Sequence, residues 1–256
     1  MLFGWKKDKY KPQLTHNHFL VSIGYDFSKP LPDHVDLGYL MPEVRDQGNL
    51  GACTGFGIGV NVTARAKEQG VYIEWFSPTW IYNGERFIEG TLTEDAGAGP
   101  SDGWDWLTEK GCLLEHFWPY KDILDTKAPP SKFDQDASKF PVHGYRRVDN
   151  GIKGLMLSLS VGNLISIGTP WYDKWMDAGT DGRLADISNN DTIAGGHETC
   201  LFGYKMIGSK IYFHGRNSWS DKWGEKGNYW MPAQAFDVFK NNGGYDAHFP
   251  VLPWHK

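Results

Sequence analysis

Cys53, His197 and Asn217 are the side chains whose types and order in this sequence suit nucleophilic chemistry. A cysteine attacks as thiolate, and its free pKa of about 8.5 leaves little of that form at neutral pH. In "VRDQGNLGACTGFGIGV", Cys53 stands where a turn-rich loop meets an apolar run that reads as the start of a helix. The orphan N–H groups and the dipole at a helix N-terminus favour negative charge there. A cysteine by itself is more often a small buried hydrophobe. The weight of Cys53 comes from company far along the chain. "AGGHETCLFGYK" puts His197 behind two glycines at the start of an apolar strand, where its ring is approachable, and "GRNSW" puts Asn217 20 residues later. A thiol, an imidazole to act as acid and base, and an amide to orient that imidazole make a complete set for acyl transfer.

Such a set needs a helix to hold the thiol and a sheet to hold the imidazole. "CTGFGIGVNVTARAKEQG" supplies the helix: Phe56, Val60 and Ala64 recur at i+4, Ile58 and Val62 fill a second face, and Gly70 stops it. Apolar groups on several sides predict a buried helix. Each of Gly55, Gly57 and Gly59 costs roughly 1 kcal/mol against alanine inside a helix, so either neighbours approach closely here or the helix has other bounds. "SPTWIYNGERFIEG" has helical spacing, and "SDGWDWLTEKG" opens on a capping Ser101 or Asp102 and ends at Gly111. After a Pro- and Asp-rich stretch from Trp118 to Pro141, short runs rich in β-branched and aromatic residues read as strands: "GNLISIGTPW", "ETCLFGYKMIG", "KIYFHGRNSW" and "GNYWMP". "NGIKGLMLSLS" reads as a short helix among them. The expected fold is α+β, with an arm over 1–30, a mainly helical lobe over 31–143 and a mainly β lobe over 144–256. Within the arm "HFLVSIGYDF" predicts a short strand, and "SKPLPD" breaks regular structure. Strand parity puts Thr199 and Leu201 on the face of His197, and turns Cys200 away as a packing thiol. Cys112, just past Gly111, is read the same way.

The motifs together resemble the papain-like cysteine peptidases over about residues 31–256. "LPDHVDLGYLMPEVRDQGNLGACTGF" resembles the mature start of that family, where a Pro and a Val-Asp pair precede Gln-Gly and Gly-Ser-Cys-Trp. "EKGCLLEHFWPYK" resembles its Gly-x-x-x-Glu-x-x-x-Pro-Tyr stretch. "RNSWSDKWGEKGNYWMP" is similar to its Asn-Ser-Trp-Gly-x-x-Trp-Gly-x-x-Gly-Tyr signature. The texture is that of the bacterial and viral branch. The resemblance implies two lobes, a buried central helix, a β-sheet or barrel-like lobe, and an active-site cleft between them. It implies a cysteine-type peptidase working through a thioester on Cys53, with His197 as acid and base and Asn217 orienting it. Gln47 and the backbone N–H of Cys53 would stabilise the oxyanion, and Trp219 would shield the His197–Asn217 contact. Thr54 stands where the family has tryptophan, Ala52 where it has serine, and Leu50 where secreted relatives have a disulfide cysteine. Thr54 removes an aromatic wall near the cleft. The usual long helical pro-region before residue 31 is missing, so control of that kind is not expected. Residues 1–30 are instead expected to dock on a lobe or lie across the cleft. The same site could serve a peptide ligase or transpeptidase, and a silent papain-like module that binds a peptide is the remaining alternative.

Composition agrees with an enzyme acting on peptides. A net charge of −5 gives no basic surplus for nucleic acid. No stretch approaches the ~18 apolar residues of a spanning helix, and the start lacks the apolar segment of a signal peptide, so membrane association is not expected and export would have to be of a non-classical kind. Three cysteines, Cys53, Cys112 and Cys200, cannot all pair and have no zinc-type spacing, which points to a reducing, cytoplasmic setting. The sequons at Asn61 and Asn190 are then chance matches. His16 and His18 in "THNHF" lack an acidic or cysteine partner, so no metal and no cofactor is expected. Oligomeric state is not legible in the sequence.

Overall fold

In a computed structural model, which describes residues 3–9, 15, 17, 20–21, 24–26, 28–71 and 74–253, the run after Cys53 forms helix α1 (Cys53–Glu68). Every residue from Cys53 to Ala64 is buried. Two of its glycines explain how a helix so rich in glycine persists. A Cβ on Gly55 would lie 2.7 Å from the Pro78 carbonyl, and one on Gly57 would lie 2.8 Å from Cγ of Glu198. Their absence lets α1 touch a helix on one side and the sheet on the other.

Helix α2 (Pro78–Glu89) is capped by Ser77, whose hydroxyl accepts from the Trp80 N–H at 3.1 Å, and it ends at Gly90 with φ of 74°. Helix α3 (Pro100–Lys110) differs from expectation. Its cap is Gly99, with Pro100 in the first turn, so Ser101 and Asp102 lie inside the helix. The carboxylate that meets its N-terminus is borrowed from the arm: Asp8 Oδ1 accepts from the Ser101 N–H at 2.9 Å. A single turn, α4 (Asp134–Ala137), precedes α5 (Gly151–Ser160) and α6 (Ala235–Asn241).

The strands are β1 (His34–Asp36), β2 (Tyr145–Arg147), β3 (Ile165–Tyr172), β4 (Ile193–Ile207), β5 (Lys210–Arg216), β6 (Asn228–Pro232) and β7 (Asp246–Pro250). They form one antiparallel sheet in the order β2-β7-β3-β4-β5-β6, with β1 paired to β4. The sheet is open, which corrects the barrel-like expectation: β2 and β6 are its edges. An isolated bridge from Arg183 to Trp230 adds a partner at the β6 edge. Strand β4 begins at Ile193, earlier than expected, so His197 lies inside it. The break at "SKPLPD" is followed at once by β1, which carries the helical half of the chain into the sheet. Leu252 returns the favour by packing in the helical core with Val142 and Trp80.

Three of the four apolar clusters among the described residues join the helices to the sheet. Ile165, Ile167, Trp171, Phe213 and Phe236 fill one face of the sheet. Ile58, Val62, Trp104 and Leu107 fill the helical side. Val60 and Ala64 of α1 meet Leu164, Cys200 and Phe202 between them. Leu201 belongs to the first cluster and Cys200 to the third, as the strand parity requires. All three cysteines are free and buried, Cys112 among them in the helical core. Asn61 is fully buried and its amide donates to the Leu164 carbonyl at 3.0 Å, which bars glycosylation of the folded chain there. Half of "HFLVSIGYDF", where a strand was expected, lies outside the described residues, and Leu20 and Val21 are helical rather than strand. His16 and His18 also lie outside them. Among the described residues no helix is long and apolar enough to cross a membrane.

Candidate active site

Cys53 is the first residue of α1 and has no exposed surface. His197, also fully buried, projects from β4, and its Nε2 lies 2.7 Å from Oδ1 of Asn217. An amide oxygen only accepts, so Nε2 carries the proton and Nδ1 keeps the lone pair. The same Asn217 oxygen accepts from the Ser218 N–H at 2.7 Å, which fixes the amide's orientation. Trp219 stacks on the imidazole at 4.6 Å and 28°, and Trp171 meets it edge-on at 4.9 Å. The shield expected of Trp219 is therefore a stacked ring, seconded by a tryptophan that the motifs did not single out.

Gln47 is wholly buried and ties the loop before α1 to the loop after β5. Its N–H donates to the Ser218 carbonyl at 2.8 Å, its Oε1 accepts from the Ser218 hydroxyl at 2.6 Å, and its Nε2 donates to the Leu50 carbonyl at 2.8 Å. Gln47 and Asn217 are thus joined through the one residue Ser218. Thr54 does not border the cleft. It is buried, and its hydroxyl donates to Oε2 of Glu85 at 2.6 Å.

The arm fills the space above these groups. Trp5 donates its N–H to the Gly196 carbonyl at 2.9 Å, Lys6 donates to the Ala98 carbonyl at 2.9 Å, and the Ala98 N–H donates to the Gly4 carbonyl at 2.6 Å. The arm is thereby stitched to both lobes. Phe3 lies edge-on to His197 and Trp219 at 6.1 and 6.0 Å. The backbone N–H of Gly4, with that of Glu198, is directed to the Cys53 sulfur. The two glycines before His197 have a purpose beyond access to its ring. A Cβ on Gly195 would sit 2.3 Å from Phe3 Cγ, and one on Gly196 2.3 Å from the Trp5 carbonyl oxygen.

This packing decides the protonation states. Burial pushes the Cys53 thiol up to about 12, against the lowering pull of the N–H groups of Glu198 and Gly4. Burial likewise pulls His197 down to about 4, although its hydrogen bond to Asn217 opposes this. Nδ1 of His197 has no hydrogen-bond partner among the described residues. With the arm in place the site thus holds a neutral thiol and a neutral imidazole, and among the described residues no hydrogen bond joins them. A thiolate–imidazolium pair needs an open cleft.

Residues 31–240 match the family model for papain family cysteine protease. The chain belongs to the papain family. An uncharacterized peptidase C1-like protein of Acanthamoeba polyphaga mimivirus is 28% identical over 198 residues, 73% of this chain and 63% of that protein. Cysteine proteinase 1 of Entamoeba histolytica is 29% identical, over 72% of this chain and 58% of its own length. The chain thus spans less than two thirds of these curated relatives. Among solved structures, xylellain, a cysteine protease from Xylella fastidiosa, superposes with a TM-score of 0.83 at 26% identity, covering 98% of this chain and 96% of xylellain.

Sequence reasoning missed two features of this papain-family site. Behind Cys53 lie the buried carboxyls of Glu198 and Glu85, both raised well above the usual range, by burial first and then, for Glu198, by the charge of Glu85. The second is the arm's seat on Gly168, Gly196 and Asp246. The sole signal for either was glycine placement, which marks close approach without naming what approaches.

Proposed function

We infer that the chain hydrolyses peptide bonds through a thioester on Cys53 and is latent while its own arm lies in the cleft. The observation that carries this reading is the His197–Asn217 pair caged by Trp219 and Trp171, on the sheet that faces the first turn of α1. With the cleft open, Cys53 attacks the scissile carbonyl as thiolate, the bond to the leaving nitrogen breaks, and His197 protonates the departing amine. Water, deprotonated by the same imidazole, then releases the acid from the thioester. Asn217 holds the ring on axis through both steps. The N–H of Cys53 and the Gln47 amide, turned from Leu50, serve the oxyanion, a contribution of about 3 kcal/mol per donor in comparable sites.

The direction of the arm supports latency without self-cleavage. His197 protonates the leaving amine, so the leaving-group side is the side of His197 and Trp219, where Phe3 sits. Trp5, further along the chain, sits on the acyl side. A substrate runs the opposite way, with its C-terminal half as leaving group, so the arm offers its peptide bonds reversed. Three free thiols favour the reducing cytoplasm as the place of work.

Labelling with a peptidyl epoxide at pH 6 tests the reading, on the full chain and on its Trp5→Ala variant, with Cys53→Ala as control. Cys53 should react slowly in the parent and at least tenfold faster in Trp5→Ala, accompanied by turnover of a peptide substrate. Labelling of Cys53 no faster than that of Cys112 or Cys200 in the opened variant would end it.

A further inference from the structure

Only the oxygen of the Asn217 amide is engaged. Its Oδ1 accepts from His197 Nε2 and from the Ser218 N–H, while its Nδ2, buried beside them, has no hydrogen-bond partner among the described residues. The same holds for the indole nitrogen of Trp75 and for both carboxyl oxygens of Glu198, a residue only 1% exposed. Asn217, Glu198 and Trp75 line one small cavity between α1, β4 and the segment after β5, with room for about one water molecule. Gly57 of α1 borders it too, and a Cβ there would lie 3.3 Å from Glu198 Oε1.

We propose that a single buried water in this cavity joins Nδ2 of Asn217 to the carboxyl of Glu198, and that Glu198 is thereby a positioning residue for the His197–Asn217 pair. The inference rests on the peptidase reading for its effect on turnover, and not for the bridge itself.

The donors and acceptors match. An amide nitrogen and an indole nitrogen only donate, whereas a carboxyl oxygen accepts. A water that accepts from Asn217 and Trp75 and donates to Glu198 has three partners, the usual number for a buried water. The cations that line the same cavity are engaged elsewhere. Arg45 Nη2 donates to Glu115 Oε1 at 2.7 Å, and Arg216 donates through Nε to Asn228 Oδ1 and through Nη1 to the Pro42 carbonyl, both at 2.6 Å. Burial and the charges of Glu85, Asp8 and Asp246 all favour the neutral acid at Glu198, and the Ser166 hydroxyl alone favours the charged form. That hydroxyl also donates to the His248 carbonyl at 3.4 Å.

Neutrality suits Glu198 to this task. Its backbone N–H is directed to the Cys53 sulfur, and a charge on its carboxyl would oppose the thiolate that attack requires. A neutral carboxyl anchors the water and adds no charge. Holding the Asn217 nitrogen matters because the imidazole turns from base to acid within each turnover, and Asn217 is its hydrogen-bond partner throughout. Bonds in a chain polarise one another, so donation from Nδ2 makes Oδ1 the better acceptor for His197. Misplacing a catalytic group by about an ångström can cost on the order of a hundredfold in rate.

A crystal structure of the unaltered chain tests the bridge, and two variants test its use. One ordered water within about 3.2 Å of both Asn217 Nδ2 and a Glu198 carboxyl oxygen is expected. A dry cavity, or a water that misses either group, overturns the proposal. Glu198→Met keeps the length and removes the acceptor, whereas Glu198→Gln keeps a carbonyl. In the isotopically labelled full-length chain, exchange of the His197 Nε2 proton with solvent, read by NMR, should quicken at least tenfold in Glu198→Met and not in Glu198→Gln. In the opened Trp5→Ala background, kcat on a peptide substrate should fall at least tenfold in Glu198→Met with KM within twofold, and Glu198→Gln should keep the parent value. Exchange or kcat unmoved by Glu198→Met, or an equal change in both variants, would make Glu198 a packing residue and overturn the proposal. The water in the unaltered chain decides the matter if Glu198→Met fails to fold. A bridging water and quickened exchange, with no turnover in any variant, would instead count against the peptidase reading alone.

Discussion

Gly168 and Trp5 compete for the same volume, and that gives a residue-scale test of the arm's hold. With a Cβ at Gly168 placed 2.0 Å from the indole nitrogen, Gly168→Val cannot coexist with Trp5 in the slot. The strand itself tolerates valine, a good β former. The expected result is a folded chain whose Cys53 is alkylated by iodoacetamide at least tenfold faster than in the parent, with Cys112 and Cys200 still inert. Parent-like protection of Cys53 would mean that Trp5 does not hold the arm down. At this scale the His197–Asn217 contact was legible beforehand: the order of the two residues and the Asn-Ser-Trp run pointed to the pair that the structure joins at 2.7 Å. Trp5 was not legible, because a tryptophan near the start of a chain rich in them carries no period and no spacing that links it to Gly168. Glu198 was equally hidden. Beside a histidine on an apolar strand, nothing in its type says that burial will hold it neutral.

At the scale of elements, the glycines of α1 divide by what they touch. Gly57 faces Glu198, with 2.8 Å between its would-be Cβ and Cγ, whereas a Cβ on Gly59 would meet Ile81 Cδ1 at an ordinary 3.6 Å. Gly57→Ala should therefore destabilise by about 1–3 kcal/mol through overpacking. Gly59→Ala should stabilise by about 0.5–1 kcal/mol through helix propensity. Urea unfolding of the two variants checks this, and effects of the same sign would refute it. The sequence allowed either close neighbours at these glycines or other helix bounds, and could not name the neighbours. The helix carries its period on its face, while the partners come from α2 and β4, far away in the chain. For the same reason α1, α2 and α5 were read close to their observed bounds, and β1, β2 and β7 were missed. The three-residue strands β1 and β2 are too short to show an alternation, and the pairing that makes all three strands is supplied from elsewhere.

On the scale of the whole molecule, two opposed sets of buried groups shape the pH dependence of stability. Burial lowers His197 to about 4, and His214 and His248 to about 3, from an ordinary 6.5. For these, the unfolded chain binds protons that the folded chain refuses. Their stabilisation is complete above pH 6.5 and is lost as pH falls towards 4 and 3. Burial raises Asp8 to about 7 from 3.8, and Glu85 and Glu198 well above 4.5. Here the folded chain keeps protons that the unfolded chain releases. That contribution is complete below about pH 4 and is lost as pH rises through the raised values. From pH 4.5 upward towards 6.5 the two kinds oppose one another, which flattens the profile. Below 4.5 the histidines act alone, and above 6.5 the carboxyls do, each group contributing up to about 1.4 kcal/mol per pH unit. Thermal unfolding followed by tryptophan fluorescence should thus show a plateau near pH 4.5–6.5 with a fall on either side. Glu198→Gln, which keeps the size and removes the titration, should make the alkaline fall shallower and leave the acid fall unchanged. A stability that climbs steadily from pH 5 to 8, or an alkaline limb indifferent to Glu198→Gln, would show that these carboxyls are not held neutral in the fold.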